Sequence, residues 1–279
     1  MTHERISVEP TAGALGAEVS GIDLREPLDA QTVEEIREAL FQHLVIFLRD
    51  QNITSEQYLT FARHFGDLLP YPLVQGLDDY PDIVPVLKMP DETVNFGGLW
   101  HADTTYLDEP PMGTMLLACE LPPKGGDTIW ANMYLAYDTL SDGMKQMFDG
   151  LTAIFSSDKA GVTATREDRR NDAPKDDSGL QTIAEHPVVR THPVTGKKIL
   201  FVNFGHTTRF KDMTESESKP LLDYLFQHQV KPEFTCQLCW RPGTIAFWDN
   251  RASQHNPIND YHGHKRLMHR ITLAGEKPF

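Results

Sequence analysis

The chain has 279 residues, 40% of them hydrophobic and 24% charged, with a formal net charge of −14. That length allows one large or two small domains and a sizeable buried core, while so acidic a surface repels phosphate backbones and argues against a nucleic-acid partner. Three cysteines (Cys119, Cys236, Cys239) make no disulfide framework and fit a reducing compartment; the polar start has no signal-peptide character and no apolar run nears the roughly 18 to 20 residues a bilayer requires, so a cytoplasmic enzyme without a membrane partner is expected.

Along the chain, an acidic-capped amphipathic run from 28 to about 43 predicts a first helix, and LVIFL behind it a strand. Thr54 and Gln57 form a capping box ahead of YLTFARHF, with Gly66 as the stop. TMLLACE from Thr114 and DTIWA from Asp127 read as strands, the second entered through a tight Gly125-Gly126 turn. Ser141 opens a short helix, DGMKQMFDG. The most polar stretch, 156–179, is expected to be a mobile lid or insertion within a single domain spanning 1–279, because the motifs on either side of it look like parts of one site. KILFVNF from Lys198 predicts a strand, and Thr214 with Glu217 caps the helix KPLLDYLFQHQ. EFTCQLCW, TIAFW and RLMHRITLAG complete the strands. Many short strands, few helices and no regular βαβ units predict a mainly β fold with flanking helices, a sandwich or barrel.

The chemistry concentrates in three places. In Trp100-His101-Ala102-Asp103, side chains two apart on an extended chain point the same way. His101 and Asp103 can therefore offer an imidazole and a carboxylate to one divalent ion, although an isolated His-x-Asp pair is more often ordinary hydrogen bonding. His255, far down the chain, adds a third ligand if the strands close on one another. Two histidines and a carboxylate form the facial triad of iron(II) oxygenases. Arg266 and Arg270 flank Met268 on one strand and share its inner face. A buried guanidinium requires an anion, either a bidentate carboxylate from a small molecule or an internal acidic side chain. The Thr128 hydroxyl, just after the glycine turn, suits a carboxylate oxygen. Cys236 and Cys239, three apart on a predicted strand, face opposite sides and make no joint site.

Together these residues resemble the taurine/2-oxoglutarate dioxygenase family, which includes aryloxyalkanoate dioxygenases. The resemblance runs from GAEVSGIDL through Phe65-Gly66, WHAD, LPPKGGDTIW, HPVVRTHPVTGKKILFVN and FWDNRASQH to HRITLAGEKPF. It implies a double-stranded β-helix (jelly-roll) core and Fe(II) on His101, Asp103 and His255. It also implies 2-oxoglutarate anchored through its distal carboxylate by Thr128 and Arg266, Arg270 at the acidic group of the substrate, and Trp248 near the metal. The implied activity is O2-dependent hydroxylation of a small anion (sulfonate, sulfate ester or carboxylate, aryloxyalkanoates included) with release of succinate and CO2. A homodimer or homotetramer is implied as well. The substrate shell departs from the taurine enzyme: by ungapped spacing Tyr71 replaces a histidine, Gly97 an asparagine and His206 a phenylalanine. Taurine is therefore not expected, and Tyr71 and His206 are candidate substrate contacts. A zinc hydrolase on the same three ligands leaves Arg266 and Thr128 without a use, and a non-catalytic jelly-roll binder leaves the triad without one.

Overall fold

The computed structural model describes residues 3–71, 74–160 and 183–279. In chain order these form β1 (Ser7–Pro10), β2 (Ala17–Ser20), α1 (Ala30–His43), β3 (Val45–Leu48), α2 (Ser55–Arg63), β4 (Val84–Lys88), β5 (Gly113–Glu120), β6 (Thr128–Asn132), α3 (Met133–Asp138), α4 (Asp142–Phe148), β7 (Thr152–Ser156), β8 (Ile183–Pro187), β9 (Val189–Thr191), β10 (Lys198–Leu200), β11 (Thr207–Phe210), α5 (Glu215–His228), β12 (Thr235–Leu238), β13 (Ile245–Asp249), β14 (Ser253–Pro257) and β15 (Arg266–Leu273).

The helices begin where side chains satisfy their first free N–H groups. Asp29 accepts from Thr32 N at α1, Ser141 from Met144 N at α4, and the two predicted capping boxes close reciprocally at α2 and α5. Each cap contributes about 1 kcal/mol. Helix α2 ends at Arg63, short of the expected stop at Gly66. Helix α3 was not anticipated; Asn132 starts it by accepting from both Tyr134 N and Leu135 N.

Seven strands form one sheet in the order β1-β2-β3-β13-β5-β15-β4, antiparallel except for β2 beside β3. A three-stranded sheet, β12-β6-β14, packs across it, with Trp130 of β6 reaching Phe47 of β3 and Trp248 of β13 at ring-centroid distances of 5.6 and 5.7 Å. Two sheets packed face to face, with helices outside, are the jelly-roll arrangement expected from the sequence. Two smaller sheets, β11-β7-β8 and β10-β9, lie beside them.

Period-two alternation divides the apolar side chains of the large sheet between two cores. Val45, Phe47, Leu116, Ala246, Trp248 and Met268 face the small sheet. Ile46, Leu48, Met115, Phe247, Ile271 and Leu273 face the outer layer with residues of α1 and α2. Because β3 and β13 are buried on both faces, their sequences read as continuous apolar runs. The alternation on β15 puts Arg266 and Arg270 on the same inner face as Met268. No helix among the described residues is long and apolar enough to cross a membrane. The stretch expected as a lid, 156–179, starts at the end of β7; from 161 onward it lies outside the described residues.

Candidate active site

His101 lies outside the regular strands. It makes a single two-way backbone bridge with His255 of β14: His101 N–H donates to His255 O at 3.1 Å, and His255 N–H to His101 O at 2.8 Å. The bridge sets the two imidazoles side by side, ring centroids 4.3 Å apart. The chain then turns sharply, with Thr104 in the left-handed region at φ 43°. Asp103 is held at this turn by Asn250, whose Oδ1 accepts from Asp103 N at 2.7 Å and whose Nδ2 donates to Asp103 O at 3.1 Å. Thr114 Oγ1 donates to Asp103 Oδ2 at 2.8 Å. The other oxygen, Oδ1, lies 3.5 Å from His101 Nε2 and 3.9 Å from His255 Nε2, longer than hydrogen bonds. His101 Nδ1 donates to Leu99 O at 2.6 Å, which leaves the Nε2 lone pair facing inward. The ligand atoms of His101, Asp103 and His255 all lie within 4.8 Å of one another.

Two glycines give the cluster its space. A Cβ on Gly97 (φ +65°) would stand 2.9 Å from His101 Cε1 and 3.2 Å from Nε2; one on Gly205 would stand 2.9 Å from His101 Cβ. Burial pushes the Asp103 carboxyl up, but Arg270 and the two imidazoles outweigh it and hold the group ionised, well below the usual carboxylate range. Burial, then the neighbouring His101, lowers both His255 and His206 to about 3. Neutral imidazoles and an ionised carboxylate are the forms that ligate a divalent cation.

Two adjoining cavities open from the cluster. The larger, about 220 Å³, is lined by Tyr71, Phe96, Leu99, His206 and Arg270 together with His101 and Asp103. The smaller, about 50 Å³, leads past His255 and Trp248 to Thr128 and Arg266. All nine side chains that the resemblance assigned to the site, Trp248 included, thus border two adjoining cavities. Arg270 Nη2 lies 3.3 Å from Asp103 Oδ1, and its guanidinium carbon lies 4.7 Å from the Tyr71 ring centroid. His206 Nδ1 meets Thr105 Oγ1 at 2.9 Å. Thr128 Oγ1 accepts from Trp240 Nε1 at 3.0 Å. Arg266 is 5% exposed, yet its Nε and Nη2 have no hydrogen-bond partner. The Gly126 turn (φ +74°) packs against it so closely that a Cβ there would lie 3.3 Å from Arg266 Cδ and Nε.

This donor set fits a divalent metal that keeps open positions, and an unsatisfied buried guanidinium beside a threonine hydroxyl fits a carboxylate. The residues therefore suit both iron and a 2-oxo dicarboxylate. Sequence reasoning did not find the roles of Thr114, Asn250, Gly97 and Gly205. Asn250 stood in the quoted WDN motif with no role assigned, and Thr114 was hidden as the polar first residue of an apolar strand.

Known proteins bear this out. The family model described as "Taurine catabolism dioxygenase TauD, TfdA family" matches residues 7–272. An alpha-ketoglutarate-dependent sulfate ester dioxygenase of Pseudomonas putida is 34% identical, covering 98% of this chain and 91% of the relative. An alkylsulfatase of Acinetobacter baylyi is also 34% identical, over 98% and 86%. Among solved structures, a taurine dioxygenase from Burkholderia xenovorans superposes with a TM-score of 0.84 at 33% identity, covering 99% of this chain and 93% of the other. AAD-2 in complex with Mn(II) and N-oxalylglycine gives 0.79 at 28%, covering 100% and 99%. The chain belongs to the taurine catabolism dioxygenase family. It is an oxidoreductase that uses iron and 2-oxoglutarate.

Proposed function

We propose that this enzyme hydroxylates the carbon bearing the sulfate of an alkyl sulfate ester, so that the product collapses to an aldehyde and inorganic sulfate. His101, Asp103 and His255 hold Fe(II); Thr128 and Arg266 hold the distal carboxylate of 2-oxoglutarate; Arg270, Tyr71 and His206 receive the substrate. The observation that carries this reading is a largely buried Asp–His–His cluster with two arginines beside it, Arg270 lining both cavities and Arg266 the smaller one. One arginine serves a cosubstrate and the other a substrate. The larger cavity pairs Arg270 with apolar Phe96 and Leu99, which suits an anionic head on an alkyl chain. Sulfate esters are also named in a relative's activity.

When bound, the iron supplies the oxidising chemistry, coupling decarboxylation of 2-oxoglutarate by O2 to insertion of one oxygen atom into a C–H bond. The protein supplies position. Thr114 occupies Asp103 Oδ2 and so presents one oxygen, Oδ1, to the metal. Leu99 O fixes the His101 tautomer. Arg266 and Thr128 set the depth of the cosubstrate. Arg270 neutralises the sulfate and orients the adjacent carbon, and His206, held neutral, adds no competing charge. We read residues 1–279 as one cytoplasmic domain that associates as a dimer or tetramer.

The test is turnover of the Fe(II) protein with 2-oxoglutarate, O2 and a medium-chain alkyl sulfate, with an alkanesulfonate and taurine in parallel. Succinate and sulfate should appear in equal amounts from the alkyl sulfate, with little product from taurine. Sulfate release without O2 or 2-oxoglutarate would mean a hydrolase. Succinate formation coupled to the sulfonate alone would reassign the substrate.

A further inference from the structure

Lys88 is the last residue of β4 and stands directly opposite Arg266, the first residue of β15. It follows Val86 by two residues and so shares its face, and Val86 lines the cavity that holds Thr128 and Arg266. Both cations are buried, 4% exposed for Lys88 and 5% for Arg266. Lys88 Nζ has no hydrogen-bond partner, and neither cation forms an ion pair with a described residue. Burial lowers the Arg266 pKa, which Tyr261 and then Asp127 offset only in part through space, and the Asp127 carboxylate is engaged by Gln237 Nε2 at 2.8 Å.

Like charges directly opposite on a strand pair destabilise it, and a buried ammonium without a partner costs more still. Tyr261 offsets part of this. Its ring centroid lies 4.1 Å from Lys88 Nζ and 5.9 Å from the Arg266 guanidinium carbon, and its hydroxyl donates to Asn95 Oδ1 at 2.7 Å. A cavity of about 10 Å³ remains between Lys88, Asn95, Tyr261 and Arg266. It adjoins the 50 Å³ cavity through the shared Arg266, Val86 and Phe96, and has room for about one water molecule. A fold that keeps two uncompensated cations facing each other beside one pocket is built for an anion that arrives later.

We propose that Lys88 is a second cation of the cosubstrate's distal-carboxylate site, acting with Arg266 across this small cavity and selecting a 2-oxo dicarboxylate over a 2-oxo monocarboxylate. The proposal rests on the cosubstrate reading given above and adds a residue to it. The experiment is calorimetric titration of the Mn(II)-loaded protein with 2-oxoglutarate and with 2-oxobutyrate, which keeps the keto-acid end and lacks the distal carboxylate. Lys88→Met and Lys88→Gln should weaken 2-oxoglutarate by about tenfold or more and leave 2-oxobutyrate within about twofold of wild type. Lys88→Arg should keep the affinity for 2-oxoglutarate within about threefold. Without ligand, Lys88→Met should melt no lower than wild type, because a like-charge pair has been removed, and the rise in Tm produced by 2-oxoglutarate should shrink. Unchanged 2-oxoglutarate affinity in both neutral variants overturns the proposal, as does parallel weakening of both keto acids. If wild type binds neither keto acid, the cosubstrate reading itself falls.

Discussion

Two buried aspartates, Asp103 in the site and Asp249 outside its cavities, show what separates a scaffold from a reactive centre. Asp249, at the end of β13, meets His192 Nε2 at 2.9 Å and Arg251 Nη2 at 2.8 Å through Oδ2, while Oδ1 accepts from Arg251 Nε at 2.9 Å and Arg251 N at 3.0 Å. The far nitrogen of His192 accepts from Val194 N and Thr195 N. Every acceptor there has a donor. Asp103 also has histidines and an arginine around it, but only Oδ2 is held by a hydrogen bond. Its Oδ1 and two imidazole Nε2 atoms converge beyond hydrogen-bond reach on shared space. The same residue types are closed by geometry in one place and left open in the other. An open cluster calls for a ligand; a closed one contributes stability and register.

The largest break in this comparison comes from removing the open carboxylate. Asp103→Ala should lower turnover at least about a thousandfold and abolish the rise in Tm that Mn(II) gives wild type, since the triad works as a unit; turnover assays and thermal melts in the presence and absence of the metal report the two effects. At the closed cluster the loss should appear in folding instead. Asp249→Ala leaves His192 and Arg251 without their buried partner and should lower stability by about 3 kcal/mol, read from the urea midpoint, while Mn(II) affinity of the folded protein stays within about threefold. A smaller effect sharpens the boundary: Thr114→Val frees Asp103 Oδ2 without touching the ligands, and metal affinity should fall about tenfold in a metal titration.

A pH-dependent effect concerns His186, a buried imidazole whose Nδ1 has no hydrogen-bond partner. Its Nε2 donates to Thr105 O and Leu107 O at 3.0 and 2.9 Å, and burial lowers its pKa to about 4. The unfolded chain takes up this proton near pH 6.5, whereas the folded protein resists it until about pH 4. Stability from the neutral ring is therefore full above pH 6.5 and is lost as pH falls toward 4, by up to roughly 3 kcal/mol. His186→Asn should flatten the fall in Tm over that window.

Much of this was readable in the sequence because its physics is local. The capping boxes at Thr54 and Thr214 satisfy their own first turns, and the Arg266-Met268-Arg270 alternation follows from strand pleating alone. The WHAD motif offered His101 and Asp103 through an extended chain, whereas a bridge and a turn bring them together. That turn depends on Asn250, a partner no local pattern can reveal. Strand β14 went unseen because SQHNP has neither β-branched residues nor alternating polarity; its place comes from pairing with β6. Lys88 lies on β4, a strand the sequence did not reveal, and only the pairing with β15 sets it against Arg266.

The two-way backbone bridge between His101 and His255 makes the metal an inspector of strand alignment. His255 is paired with Trp130 across β14 and β6, and a slip of one residue would turn its imidazole to the opposite face. Both ligands come from segments that meet only after a long loop has closed, a late and entropically costly contact. A chain with misaligned strands would lack the third ligand, so tight metal uptake should report completed folding in correct register.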